Sequence, residues 1–417
     1  MKHRAVITGM GVISPVGNQL DEFWDNLIAG KSGIGLLTRF DTSDLPTKVA
    51  AEVKNFEPTD WISKKESRHM DRFAQFALAA AMMAVKDSGL DFEKVDKERA
   101  GAVMGCGIGG VITFEEQKEV LMAKGSGRIT PFFVPMLISN MAAAHLSITF
   151  GLQGSSLTIA TACASATNAI GEALRIIQRG EADVVLCGGT EAPITSLAFA
   201  GFCAAKTMST EKENPEQASR PFDKRRSGFV MGEGAGVLVL ESLEHADARG
   251  AHIYAELAGY GSTSDAYHIT TPIPGGAGAT RAMRLAIEDA GVSVENVDYI
   301  NAHGTSTGPN DATETAAIKT LFGSYAPKVA ISSTKSMTGH LMGAAGAIEA
   351  IICALSIERG AIPPTTNYAE PDPECDLDYV PNIARQQEVN VSMSNSLGFG
   401  GHNATIVLKK FAKGKEI

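Results

Sequence analysis

The sequence predicts an α/β protein made of two similar halves, with mixed or parallel sheets covered by helices and the halves related by a pseudo-twofold axis. Three observations carry this. Helical and strand patterns alternate along the chain, glycine-rich turns follow several strand patterns, and three segments recur in one order. AVKDSGLDFEKVD (Ala84 to Asp96) returns as AIEDAGVSVENVD (Ala286 to Asp298), an offset of 202 residues. ITGMGVISP near the start resembles LAGYGSTSD (Leu257 to Asp265), about 250 residues on, and the helix patterns closing at Arg179-Gly180 and Arg359-Gly360 lie 180 apart. Three echoes in one order argue for duplication, and the shrinking offsets place extra segments in the first half. The expected division is 1–250 and 251–417, with no Pro-, Gly- or Ser-rich linker between them and the site at their junction.

The elements follow in order. AVITGMGVISP reads as a strand and turn without a signal-peptide pattern, so a cytoplasmic location is expected. AVKDSGLDFEKVD ends a helix and feeds a strand running into GAVMGCGIGG. GRITPFFVPMLISNMAAAHL is apolar but irregular, and is expected to line a pocket or a subunit interface. In SLTIATACASATNAIGEALRIIQRG, the residues from Leu157 to Thr161 suit a short buried strand. Ala166, Ala169, Ile170, Ala173, Leu174 and Ile177 then recur at helical spacing up to Gly180. Cys163 stands at the hand-over, where unpaired N–H groups and the positive end of the helix dipole favour a thiolate. The second half supplies NAHGTSTGPND, STKSMTGHLMGAAGAIEA and SNSLGFGGHNATIVLKK.

Composition removes several classes. A chain of 417 residues, 44% hydrophobic, can bury a large core, and no apolar run reaches membrane-spanning length. A formal charge of −10 argues against nucleic-acid binding. Cys106, Cys163, Cys187, Cys203, Cys353 and Cys375 are scattered singly, without a CxxC pair, which argues against a disulfide framework and structural zinc.

Cys163 is therefore a candidate nucleophile. His303 and His340 each follow a buried strand pattern among glycines and small residues, which leave space for a ligand. Thr305 and Thr307 add short hydroxyls able to hydrogen-bond a ligand amide.

TACASA around Cys163, RPFDKRRSGFVMGEGAGVLVLE (Arg220 to Glu241), NAHGTST, KSMTGHLMGAAGAIE and NSLGFGGHN together resemble the elongating, decarboxylating β-ketoacyl-[acyl-carrier-protein] synthases, the synthase II group most closely. The resemblance covers essentially the whole chain. It implies a thiolase-like αβαβα layered fold of two duplicated halves, and fatty-acid elongation by condensation of malonyl carrier with an acyl chain on Cys163. It assigns His303 and His340 to the malonyl enolate, the N–H groups of Cys163 and Phe399 to an oxyanion hole, and Lys335 and Glu349 to a supporting ion pair. Ile108, Phe202, Met342 and Phe399 would bound the acyl tunnel, with Phe133 reaching across a dimer interface and Phe399, set between glycines, acting as a gate.

Lys64, Lys65, Arg68, Lys124, Arg128 and Lys206 would dock an acidic acyl carrier protein, the first three sharing a helix face. No intrinsic cofactor or catalytic metal is implied, because phosphopantetheine arrives on the carrier. A structural monovalent cation is implied for some relatives near Asn301, Glu349, Ser394 and Asn395. His402 departs from the Thr that many relatives carry before Asn403. The helix terminus is expected to activate Cys163 without a paired base. A thiolase would need a second cysteine in NSLGFGGHN, and synthase III and plant-type polyketide synthases place Asn where His340 stands. A chain-length factor lacks the nucleophile, and a Cys-His hydrolase leaves the second histidine unexplained. A synthase I-like or polyketide-type enzyme with another chain-length preference remains the open alternative.

Overall fold

The computed structural model describes residues 2–412, and ten strands position the site. These are β1 (Ala5–Ile13), β2 (Ala100–Gly105), β3 (Ser156–Ile159), β4 (Val184–Glu191), β5 (Gly234–Ser242), β6 (Ala255–Ser264), β7 (Tyr299–Asn301), β8 (Ala330–Ser332), β9 (Val391–Gly398) and β10 (His402–Lys409). Five helices matter most: α1 (Arg72–Ser88), α2 (Ser165–Gln178), α3 (Ala277–Ala290), α4 (Gly308–Phe322) and α5 (Ala345–Arg359). The strands hydrogen-bond in the order β3-β2-β4-β5-β1-β6-β10-β9-β7-β8.

That order has the same plan from either end. From the middle outwards, β1-β5-β4 and β6-β10-β9 pair antiparallel, whereas β4-β2-β3 and β9-β7-β8 pair parallel. The halves meet where β1 runs antiparallel to β6, with Val6 opposite Glu256. At the 250-residue offset these two are each other's counterparts, so the pseudo-twofold axis passes between them.

Helix α1 covers β1, β5 and β4, and α3 covers β6 and β10 with α4 packed beside it. Helices α2 and α5 pack on each other, and each touches strands of both halves. The layers are therefore helix, sheet, helix, sheet, helix. The apolar positions read for α2, from Ala166 to Ile177, are all fully buried.

The duplicated contacts are tight because they exclude side chains. A Cβ on Gly9 or Gly11 of β1 would stand 2.3 or 2.0 Å from the carbonyl oxygens of Ala84 and Ala80. A Cβ on Gly259 or Gly261 of β6 would stand 2.1 Å from those of Ala286 and Ala282. Both helices end in a left-handed glycine, Gly89 (φ 62°) and Gly291 (φ 64°), as a helix C-terminus favours.

One expectation needs correcting. The strand before Cys163 is not fully buried: β3 is an outer strand of the sheet, and Leu157 is 48% exposed. Among the described residues no helix is long and apolar enough to cross a membrane. Gly11→Ala and Gly261→Ala should each cost about 1–3 kcal/mol by overpacking. Denaturant unfolding of the two variants checks this, and an unchanged midpoint in either would contradict the close packing.

Candidate active site

Cys163 lies between β3 and α2, just ahead of the N-cap residue Ala164. The preceding Ala162 has φ of 50°, a left-handed conformation that L-residues adopt only when neighbours enforce it. The neighbours are visible. The Thr161 N–H donates to Ser165 Oγ (2.9 Å), and that hydroxyl donates to the Ala162 carbonyl (2.6 Å). Asn168 Nδ2 donates to Thr161 Oγ1 (2.7 Å), while Tyr260 from the other half donates to Asn168 Oδ1 (2.8 Å). The elbow is thus pinned from both halves.

The histidines come from the second half. His303 follows β7, and Glu314 of α4 holds its loop by accepting the N–H groups of His303 and Gly304, both at 2.8 Å. His340 follows β8 and the short helix Lys335–Thr338; its N–H donates to the Val230 carbonyl (2.8 Å), and its carbonyl accepts from Gly232 N–H (2.9 Å). The RPFDKRRSGFVMGEG segment therefore splints His340. His340 Nε2 stands 3.1 Å from Cys163 Sγ, and the two imidazoles meet edge to face with centroids 5.3 Å apart. One nitrogen of each histidine and the thiol sulfur all lie within 4.8 Å of one another.

Electrostatics assign the protonation states. Burial, reinforced by Lys335, holds both histidines well below the ordinary imidazole range, so they are neutral near pH 7. Burial also pushes the Cys163 thiol up to about 11, against the Lys335 ammonium and the N–H groups of Phe399 and Cys163. This corrects the expectation that the helix terminus alone activates the thiol. Desolvation outweighs those N–H groups, and the sulfur is hydrogen-bonded to His340. Lys335 and Glu349 form the expected ion pair, 2% and 3% exposed. Burial raises the Glu349 carboxyl, with Lys335 opposing.

A cavity of about 430 Å³ opens over these groups. Ile108, Phe202, Thr305, Thr307, Met342 and Phe399 line it, as expected, and the two threonine hydroxyls are 2.9 Å apart. The Phe399 turn approaches Cys163 because residue 398 is glycine: a Cβ there would meet the Thr161 carbonyl at 2.8 Å and the Cys163 nitrogen at 3.2 Å. Phe133 is half-buried in the helix Phe133–Leu137 and does not line this cavity; that helix supports the 107–110 loop from outside through the Leu137 carbonyl. Lys206 lines the cavity, whereas Lys64, Lys65, Arg68, Lys124 and Arg128 are exposed away from its lining. The helix expected to align the first three is a single turn, Lys64–Ser67. Sequence reading missed the buried carboxylates Glu191 and Glu314, although Glu191 is a lone acid in an apolar and small-residue stretch and Glu314 follows Asp311 by three residues among small ones.

With the thiol at about 11 and the histidines neutral, the thiolate fraction of the free enzyme rises with pH. Alkylation of Cys163 by iodoacetamide should therefore accelerate roughly tenfold per pH unit between pH 7 and 9.5, the slope expected well below a pKa. Lys335→Met should slow it at any fixed pH. A rate already at plateau at pH 7 would contradict this reading.

Comparison with known proteins agrees with the geometry. The model of the Beta-ketoacyl synthase N-terminal domain matches residues 2–246, and that of the C-terminal domain matches residues 254–369. The chain is 55% identical over 408 residues to 3-oxoacyl-[acyl-carrier-protein] synthase 2 of Staphylococcus aureus (strain COL), covering 98% of each chain. It is 51% identical over 410 residues to the protein of the same name from Synechocystis sp., covering 98% of this chain and 99% of that one. Among solved structures, it resembles a chain from a type II PKS acyl-carrier protein in complex with its ketosynthase bound to the hexaketide. The TM-score there is 0.92 at 37% identity, over 99% of this chain and 100% of that one. Identity of this extent along nearly the full length of both partners, on the layered thiolase-like fold, means that the chain belongs to the β-ketoacyl synthase family and is an acyltransferase.

Proposed function

We propose that this protein elongates fatty acyl chains by decarboxylative condensation of malonyl-acyl-carrier protein with an acyl group held on Cys163, giving 3-oxoacyl carrier and CO2. The observation that carries this is a thiol at a helix start facing two neutral imidazoles from the other half, all within 4.8 Å. The names of its relatives support the same reading.

Cys163 attacks the thioester carbonyl of the acyl carrier, and the bond to the carrier sulfur breaks. The thiol proton leaves as the sulfur attacks and the departing carrier thiolate takes one up, while the His340 Nε2–H, 3.1 Å from Sγ, donates to the thiolate as it forms. The N–H groups of Cys163 and Phe399 hold the oxyanion. Malonyl carrier then enters beside Thr305 and Thr307. Loss of CO2 leaves an enolate whose oxygen accepts N–H bonds from His303 and His340. Neither Nδ1 has a hydrogen-bond partner among the described residues, which suits a proton on Nε2 in both rings. The enolate carbon attacks the acyl carbonyl, the bond to Cys163 breaks, and the released thiolate takes up a proton. Ile108, Phe202 and Met342 bound the acyl chain and set the preferred length, the property that would separate this enzyme from a synthase I-like or polyketide-type one.

The partner is an acyl carrier protein, bound by Lys206 at the cavity mouth and the exposed basic residues Lys64, Lys65, Arg68, Lys124 and Arg128. The protein works in the cytoplasm as a homodimer. The outer strand β3, with the exposed Leu157, Ile148, Phe132 and Val134 in the same half, supports a self-association surface that brings Phe133 to the partner's cavity.

A structural monovalent cation fits behind the site. Asn301 Oδ1, Glu349 Oε2 and Ser394 Oγ are buried oxygens without hydrogen-bond partners among the described residues, and Asn301 and Ser394 face each other in the β7–β9 register. The Asn395 side chain is committed elsewhere, to Thr405 and Glu314. Bound there, the cation would satisfy those oxygens and fix Glu349, the partner of Lys335.

Cys163→Gln should abolish condensation while malonyl decarboxylation continues, because the enolate is held by the histidines; loss of both activities would refute that division of labour. The thermal midpoint should be higher in potassium chloride than in tetramethylammonium chloride of equal strength, and Ser394→Ala should erase the difference. Equal midpoints for the unaltered protein would sink the cation site.

A further inference from the structure

Glu191 ends β4 fully buried, and the reaction as drawn gives it no task. Its carboxylate gathers five donors from two separate segments. Oε1 accepts from the N–H groups of Ile108 (3.0 Å) and Gly109 (3.3 Å) and from the Cys106 thiol (3.4 Å). Oε2 accepts from the N–H groups of Gly107 (2.7 Å) and Gly343 (3.0 Å). Successive backbone N–H groups curled round one anion form a nest. A buried carboxylate held this way cannot lose one segment without leaving donors and charge unpaired. The fit admits no side chain, since a Cβ on Gly107 or Gly343 would stand 2.8 or 2.4 Å from Oε2.

The two segments carry different parts of the site. One presents Ile108, 41% exposed on the cavity wall. The other runs from His340, which touches the nucleophile, through Met342, whose φ of 49° is a strained conformation for a non-glycine residue. The Gly343 N–H on Oε2 is the next backbone donor after that strained residue. A shift of the Ile108 loop therefore moves the acceptor on which the His340–Gly343 turn rests.

We propose that Glu191 is a positioning residue that couples the acyl wall at Ile108 to the His340–Gly343 turn, so that filling the acyl pocket adjusts His340 for malonyl decarboxylation. The coupling rests on the elongating reaction proposed above. It gives the enzyme a reason to spare malonyl carrier until an acyl chain is in place.

The test loads Cys163 with two inert adducts, one from iodoacetamide and one from an N-dodecyl iodoacetamide that reaches the acyl wall, and measures decarboxylation of malonyl carrier by each. The unaltered enzyme should decarboxylate faster with the long adduct. In Glu191→Gln, which keeps the shape but turns an NH2 towards N–H donors, that advantage should shrink by about tenfold, the equivalent of roughly one charge-assisted hydrogen bond. A ratio that survives Glu191→Gln overturns the proposal. If that variant does not fold, Ile108→Ala carries the test, because cutting back the wall should erase the same advantage with Glu191 intact; an unchanged ratio overturns the coupling. Equal rates for both adducts of the unaltered enzyme also overturn it and leave the elongating reaction standing. Absence of decarboxylation from either adduct overturns that reaction and the coupling with it.

Discussion

The Lys335 ammonium is buried near one thiol and two imidazoles, and its field organises all three. It favours the thiolate of Cys163 and disfavours protonation of His303 and His340. A buried cation is tolerated only when paired, and Glu349, from the central helix α5, supplies the pair. Burial acts in the same direction on the histidines and against the thiol. The free site is consequently a neutral thiol and two neutral imidazoles, and the charges that appear are those the reaction creates. Preorganised N–H dipoles can meet those charges without reorganisation, which is where such a site lowers barriers most.

Backbone glycine makes this packing possible. Gly398 lets the Phe399 turn lie on the Cys163 elbow, and Gly107 and Gly343 let two loops share one carboxylate. The same device at larger scale sets α1 on β1 and α3 on β6, where alanine carbonyls rest against bare glycine. Rigid close packing of that kind holds the elbow and the histidine loops at fixed separation. The left-handed backbones of Ala162, Ser306 and Met342 are strained positions that such a frame can sustain.

Much of this was legible in the residues. The duplication was readable because its signals are local: a helix ending at Ser-Gly or Ala-Gly, a Gly-x-Gly in the first strand of each half, and glycine turns after the strands. Cys163, His303 and His340 were readable as motifs, and the structure brings them together at the junction. The raised thiol was not readable, because a helix start is a local feature whereas desolvation depends on everything that closes over it. Glu191 and Glu314 were missed for a related reason. Their partners are backbone N–H groups of loops distant in sequence, 11 residues away for the His303–Glu314 bond and 152 for the Glu191–Gly343 bond, and such bonds leave no residue-type pattern.

The topology turns the site into a statement about the two halves. Strands β3 and β8 are equivalent, so the loops after them, carrying Cys163 and His340, are equivalent too, and the contact between sulfur and Nε2 joins the halves near their axis. Strands β2 and β7 are likewise equivalent, and the loops after them carry Ile108 and His303. Each of those loops is gripped by one buried carboxylate through consecutive N–H groups, but Glu191 comes from a strand end and Glu314 from a helix. The halves have kept one physical solution, a buried carboxyl accepting consecutive backbone N–H bonds, while supplying it from different elements. Because the grip acts on the backbone, the side chain each loop presents is free to differ: an aliphatic Ile108 on one side of the cavity and the His303 imidazole on the other. That freedom is how a duplicated fold comes to present two unlike walls to one sulfur.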